Sequence, residues 1–93
     1  IQALLGDTAQ SLAFSNYQKG NELARDPKTA PQALAYYRKA VEAEPTNRDF
    51  RLGLAVALQQ QNLPAEALKQ YQQLIAQNAN DAQIQYYYGT ALH

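Results

Sequence analysis

The sequence predicts an all-α protein: five antiparallel helices, stacked as helix-turn-helix hairpins in a short solenoid. Two observations carry that expectation. The first is an internal repeat. Ala33, Tyr37, Ala40 and Val41 recur as Ala67, Tyr71, Leu74 and Ile75, each 34 residues later. Phe50, Leu54, Ala55 and Leu58 recur at the same offset as Ile84, Tyr88, Gly89 and Leu92. Both helices of a hairpin are therefore repeated, not one alone. A fixed period in this range marks units that bury their apolar faces against one another. The second observation is spacing. Between breaks made by Pro, Asn and Asp, apolar residues return every three or four positions, and helix formers dominate the composition.

Each element follows from local signals. Residues 1 to 6 read as a lead-in. Asp7, with Gln10 three residues later, resembles a capping box for a first helix from 8 to about 25. Leu12, Ala13, Tyr17, Gly20, Leu23 and Ala24 give its helical spacing. Asp26-Pro27 ends it, because the residue before a proline avoids the helical region. Thr29 is the expected N-cap of the second helix, and Pro31 falls in its first turn, where a missing N–H costs nothing. That helix runs to about Glu44 and stops at Pro45. Thr46 or Asn47 caps the third, from 48 to about 61. Its apolar residues spread wider than one stripe, as expected of a helix sandwiched between neighbours. Asn62-Leu63-Pro64 turns the chain into the fourth helix, which ends near Gln77. Asp81 or Asn80 caps the fifth, which carries Ile84, Tyr86, Tyr87, Tyr88, Gly89 and Leu92.

Composition excludes several function classes. Eight basic and eight acidic residues give a formal net charge of zero, with no basic run to draw nucleic acid or an anionic membrane. No apolar run approaches the roughly 20 residues of a membrane span. There is no Cys, so thiolate metal sites, Cys nucleophiles and disulfides are excluded, and the composition suits cytosol and periplasm alike. The chain begins at Ile1 and stops within an apolar pattern at Leu92-His93, which reads as a piece of a longer protein. Catalysis has little to stand on. The sole His is His93, Ser11 and Ser15 have no His near them, and no phosphate loop or metal ligand set occurs, so neither enzyme activity nor a cofactor is expected. Glu22 with Arg25, Arg38 with Glu42, and Glu66 with Lys69 read as surface pairs within helices.

The 34-residue period, with a large-small pair on the first helix and a small residue followed by bulky ones on the second, resembles the tetratricopeptide repeat family. Leu54-Ala55 supply the large-small pair of the middle unit, Leu58 follows one turn on, Ala67 is the small contact, and Tyr71, Leu74 and Ile75 are bulky. Ala79 stands where the family has Pro. Ala33, Tyr37, Ala40, Val41 and Pro45 match in the first unit, and Tyr88-Gly89 in the third. The first helix of the first unit matches through Lys19-Gly20-Asn21 if the following turn holds one extra residue. The resemblance implies a right-handed solenoid of about two and a half repeats within a single domain, residues 1–93. Residues 1–11 are then a lead-in, 12–46 the first repeat, 47–80 the second, and 81–93 the first helix of a third. It also implies core roles for Leu54, Leu58, Ala67, Tyr71, Leu74, Ile75, Tyr88 and Leu92.

Such arrays line a concave groove with the first helix of each unit, and the implied function is protein–protein recognition. By register the lining residues are Phe14, Tyr17, Asn21 and Arg25, then Asp49, Leu52, Val56, Gln59 and Gln60, then Gln83, Tyr86, Thr90 and His93. The contact set expected to matter most is Tyr17, Asn21, Leu52, Val56, Gln59, Tyr86 and Thr90. Leu52 and Val56 fall opposite Leu54 and Leu58, so an isolated hairpin leaves them exposed, as a ligand face requires. Tyr17 and Tyr86 flank them, and tyrosine joins apolar area to a hydroxyl. Some family members grip a chaperone's terminal carboxylate with Lys and Asn at lining positions. Here only Asn21 fits that pattern: Tyr17, Gly53, Tyr86 and Thr90 hold the others. An apolar helix or extended peptide is the better ligand, with no nucleic acid and no membrane insertion. Rival readings are that the surface covers another segment of the same protein, that the last helix self-associates, or that the unit regulates a larger enzyme.

Overall fold

The computed structural model describes residues 9–92, with side chains from Ser11 onward. The Asp7 capping signal, the lead-in and His93 lie outside them. Five helices follow in order: α1 Ala9–Ala24, α2 Ala30–Ala43, α3 Arg48–Gln60, α4 Pro64–Gln77 and α5 Ala82–Leu92. Each lies within two residues of its expected bounds, and no strand occurs among the described residues. The chain is a short helical-repeat solenoid. α1 packs on α2, α3 on α4, and each helix also meets the next in sequence. α3 touches the other four, which is why its apolar residues spread around the cylinder.

The turns show how the ends are closed. Asn47, not Thr46, caps α3: its side-chain oxygen accepts from the Phe50 N–H at 3.1 Å. Asp81, not Asn80, does the same for α5, accepting from the Ile84 N–H at 3.1 Å. Thr29 is the N-cap residue of α2, as expected, but its side chain makes no cap hydrogen bond to that helix. The hydroxyl instead donates backward to the Leu23 carbonyl at 2.7 Å, closing the end of α1. Asn62 has φ 61°, in the left-handed region, with Leu63 N–H bonded to Leu58 O and Asn62 N–H to Gln59 O. This is a Schellman end, and Asn is one of the few non-glycine residues that tolerate it.

The core follows the repeat. Ala33 and Ala67, Tyr37 and Tyr71, Ala40 and Leu74, and Phe50 and Ile84 are all buried at equivalent places. Tyr71, Leu58, Leu74 and Ile84 are the largest side chains wholly removed from water. Burying an aliphatic of this size contributes roughly 1.5–3 kcal/mol. Ile75 and Tyr88 pack against this cluster while half-buried. Leu92 does not join it: it is 60% exposed, although its counterpart Leu58 is fully buried. Leu58 has α4 and α5 over it, whereas no described element covers the outer side of α5. The Tyr37 ring is wedged between two glycines. A Cβ built on Gly20 would stand 2.8 Å from that ring, and one on Gly53 3.0 Å from it. On Gly89, the residue in register with Gly20 and Ala55, a Cβ would meet nothing within 4 Å.

Polar ties join the units, and they are not the pairs expected within helices. Arg38 on α2 forms its ion pair with Glu66 on α4 rather than with Glu42. Glu22 pairs with Lys19 at 3.9 Å rather than with Arg25. Arg51 is buried at the back of α3. Its guanidinium donates to Gln70 Oε1 at 2.6 Å and to the Pro45 carbonyl at 2.8 Å, while Nε has no partner. Burial pushes its pKa down, since no carboxylate offsets the lost hydration.

Candidate functional site

Hairpin stacking sets α1, α3 and α5 side by side, with α3 touching both outer helices. Between them lies a hollow of about 630 Å³. Leu52, Gly53 and Val56 of α3 form its floor, Tyr17 and Asn21 of α1 with Arg25 just past its end one wall, and Gln83 and Tyr87 of α5 the other. A second hollow of about 340 Å³ adjoins it between α3 and α5, lined by Val56, Gln59, Gln60, Tyr86, Tyr87 and Thr90. Val56, Gln60 and Tyr87 belong to both. The seven residues expected to matter are thus brought to one concave surface. Tyr17, Asn21, Leu52 and Val56 line the larger hollow, and Val56, Gln59, Tyr86 and Thr90 the smaller.

Their exposure differs from expectation in one respect. Leu52 is only 7% exposed and belongs to the core; Val56 is half-buried against the same cluster. The aliphatic pair is a recessed floor rather than a protruding ridge. The reason is the neighbouring repeats: α1 and α5 close over sides of α3 that one hairpin would leave open. The exposed apolar groups are aromatic and peripheral. Tyr86 is 67% exposed and stacks edge-on with Tyr87, with ring centroids 5.4 Å apart. Phe14 is 52% exposed, 6.4 Å from the Tyr17 ring, which in turn lies 5.0 Å from Phe50.

The polar lining is held from behind by buried tyrosines. Tyr37 donates its hydroxyl to Asn21 Oδ1 at 2.6 Å, and Tyr71 donates to Gln59 Oε1 at 2.9 Å. Burial, and secondarily the nearby Tyr17 and Tyr87, push both phenols up to about 12, so they are neutral donors at any ordinary pH. Gln59 extends to Thr90 at 3.4 Å, and the Thr90 hydroxyl donates to the Tyr87 carbonyl at 2.7 Å. At the other end Arg48 holds Asp81, Asp49 and Gln83.

Sequence reasoning passed over Tyr37, Arg48 and Tyr87 as lining residues. Tyr37 reads as pure core, and its ring reaches the hollow only because Gly53 lacks a side chain. Arg48 was visible only as the first residue of a helix. Tyr87 neighbours Tyr86, and successive residues about 100° apart can both border one concave face.

Among the described residues no cluster of three or more His, Cys, Asp or Glu could hold a metal ion. No helix there is long and apolar enough to cross a membrane. The sequence profile of the tetratricopeptide repeat matches residues 24–88. The chain belongs to the tetratricopeptide repeat family, whose members generally serve protein–protein interaction. A comparison with curated proteins gives no match.

Proposed function

We propose that this chain is an interaction scaffold whose concave face holds a segment of another protein, either an apolar helix or an extended peptide. The contact surface is Tyr17, Asn21, Leu52, Val56, Gln59, Tyr86 and Thr90, with Tyr87 added. The observation that carries this reading is the pair of adjoining hollows sharing Val56, Gln60 and Tyr87. Together they form one trough with an apolar floor, polar walls and bordering tyrosines, and tyrosine gives large contact area for little entropy loss. The site is passive: preformed side chains, held by Tyr37 and Tyr71, lose little freedom when a partner docks. Residues 12–46 and 47–80 are taken as two full repeats, with 81–93 as the first helix of a third.

The test is affinity capture from the source cell's lysate, wild type beside Val56→Thr/Tyr86→Ala. These changes remove apolar contact from the trough without placing a charge in the core. A partner captured by wild type and lost with the variant supports the groove. Capture of the same set by both moves the site elsewhere.

A second reading rests on the outer side of α5, where Leu92 is exposed and Gly89 is open. There the chain would associate with itself. Molecular mass that rises with concentration, and that Leu92→Glu returns to the monomer value, is the result this reading requires.

A further inference from the structure

The larger hollow contains three charged side chains, and their pairing leaves one over. Arg48 is engaged with Asp81 and Asp49. Arg25, at the end of α1, is exposed and joins no ion pair among the described residues. The acid expected beside it, Glu22, is taken by Lys19. Asn21 lies four residues before Arg25, and both line the hollow. Because Asn21 Oδ1 accepts the Tyr37 hydroxyl, the amide nitrogen is what Asn21 has left to offer a ligand. Two hydrogen-bond donors, one cationic, therefore stand together beside an apolar floor of Leu52, Val56 and Ala57. Neutral Gln60 of α3 lines the same hollow, and Asp49, the acid of its lining, is itself paired with Arg48.

Resting on the reading of the groove as a peptide site, the geometry points to a ligand segment carrying an internal Asp or Glu. Its carboxylate is bound by Arg25 and the Asn21 amide. A neighbouring aliphatic or aromatic side chain of the segment lies on Val56 between Tyr17 and Tyr87. Arg25 supplies the charge and the fork of donors that suit a carboxylate, and the trough supplies the apolar contact. Arg25 is thus a specificity-determining residue, selecting acidic-apolar segments from among those the trough could hold.

The experiment is selection of a random dodecapeptide library on the intact chain, each peptide displayed with its C-terminus fused to the carrier. Enriched peptides should carry Asp or Glu beside an aromatic or branched residue. A synthetic, C-terminally amidated winner should lose about ten-fold in affinity with Arg25→Gln. Changing the peptide's acid to its amide should cost about the same, and the two changes together little more. Enriched peptides without an acid overturn the proposal, as do independent losses that add, or binding that requires a free terminal carboxylate. Failure of the groove itself looks different: the winners would then bind Val56→Thr/Tyr86→Ala as tightly as wild type. No enrichment at all would overturn both readings.

Discussion

Arg48 and Asp81 stand 33 residues apart in sequence and meet through two hydrogen bonds, Nε to Oδ2 at 2.9 Å and Nη2 to Oδ1 at 3.1 Å. The same Asp81 side chain caps α5 through the Ile84 N–H. The first residue of one repeat's first helix thus holds the cap of the next repeat's first helix. That contact ties α3 to α5 at one end of the trough between them.

This double role gives a pH-dependent outcome. The Arg48 guanidinium, with help from the Ile84 N–H, holds the Asp81 carboxyl below its ordinary value of 3.8. A depressed folded-state pKa contributes stability above the unfolded value, and that contribution is lost as pH falls through the folded one. Asp81→Asn keeps a capping oxygen but drops the charge, whereas Asp81→Ala loses both. At pH 7 the melting temperatures should therefore rank wild type, Asn, Ala. In thermal melts followed by circular dichroism, the gap between wild type and Asp81→Asn should narrow as pH falls below 3.8 and close once the folded carboxylate is protonated. A gap that does not narrow at all as pH falls below 3.8 would show that charge is not the cause.

Gly20 and Gly89 share a register position yet should respond oppositely to alanine. In an exposed helix the change gains about 0.8–1 kcal/mol. At Gly20 the new methyl meets the Tyr37 ring at 2.8 Å, and Gly53 closes off the ring's retreat. Overpacking of that kind costs about 1–3 kcal/mol, so Gly20→Ala should destabilise. At Gly89 the methyl meets nothing, so Gly89→Ala should raise stability by up to about 1 kcal/mol. Urea unfolding of the two variants decides it; a gain at both positions would mean that the Tyr37 wedge is soft.

The buried phenols predict the alkaline limit. Tyr37 and Tyr71 hold their protons to about 12 in the folded chain against 10.0 ordinarily. The stability linked to those raised values is intact below pH 10 and falls as pH rises towards 12. Tyr37→Phe/Tyr71→Phe should cost about 1 kcal/mol per hydroxyl at pH 7. The double variant should also lose less additional stability than wild type between pH 10 and 12. Parallel alkaline curves would assign the loss to other groups.

Leu52 and Tyr86 separate folding from surface. Leu52→Glu places a carboxylate where only 7% of the side chain's residue surface meets water, and should cost on the order of 3 kcal/mol. Tyr86→Ala, at a 67% exposed position, should stay within about 0.5 kcal/mol of wild type. Equilibrium urea melts read both; a neutral Leu52→Glu would mean that the floor of the trough opens readily to solvent.

Much of the fold was legible because it is periodic. The 34-residue offset carried the five helices, and Pro, Asn and Asp marked their ends, because backbone propensity and capping act over a few residues. The same register placed Tyr17, Asn21, Val56, Gln59, Tyr86 and Thr90 on one surface. Thr29 holds the N-cap position as its place before α2 suggests, but its hydroxyl bonds backward, because Ser and Thr at a helix junction can bond either way and the choice depends on how the turn folds.

The local pattern is enough to define the repeat: which residues form helices, and which face of each hairpin is apolar. How deep each residue sits, and with whom it pairs, follows from how the helices stack. Leu52 sank because α1 and α5 flank α3, and Leu92 stayed in water because no described helix lies outside α5. Arg38 pairs with Glu66 on another helix rather than with Glu42 on its own, and Arg48 reaches Asp81 on α5 as well as its neighbour Asp49. Burial and long-range ion pairing depend on neighbours distant in sequence, and a local pattern carries no record of which neighbour arrives.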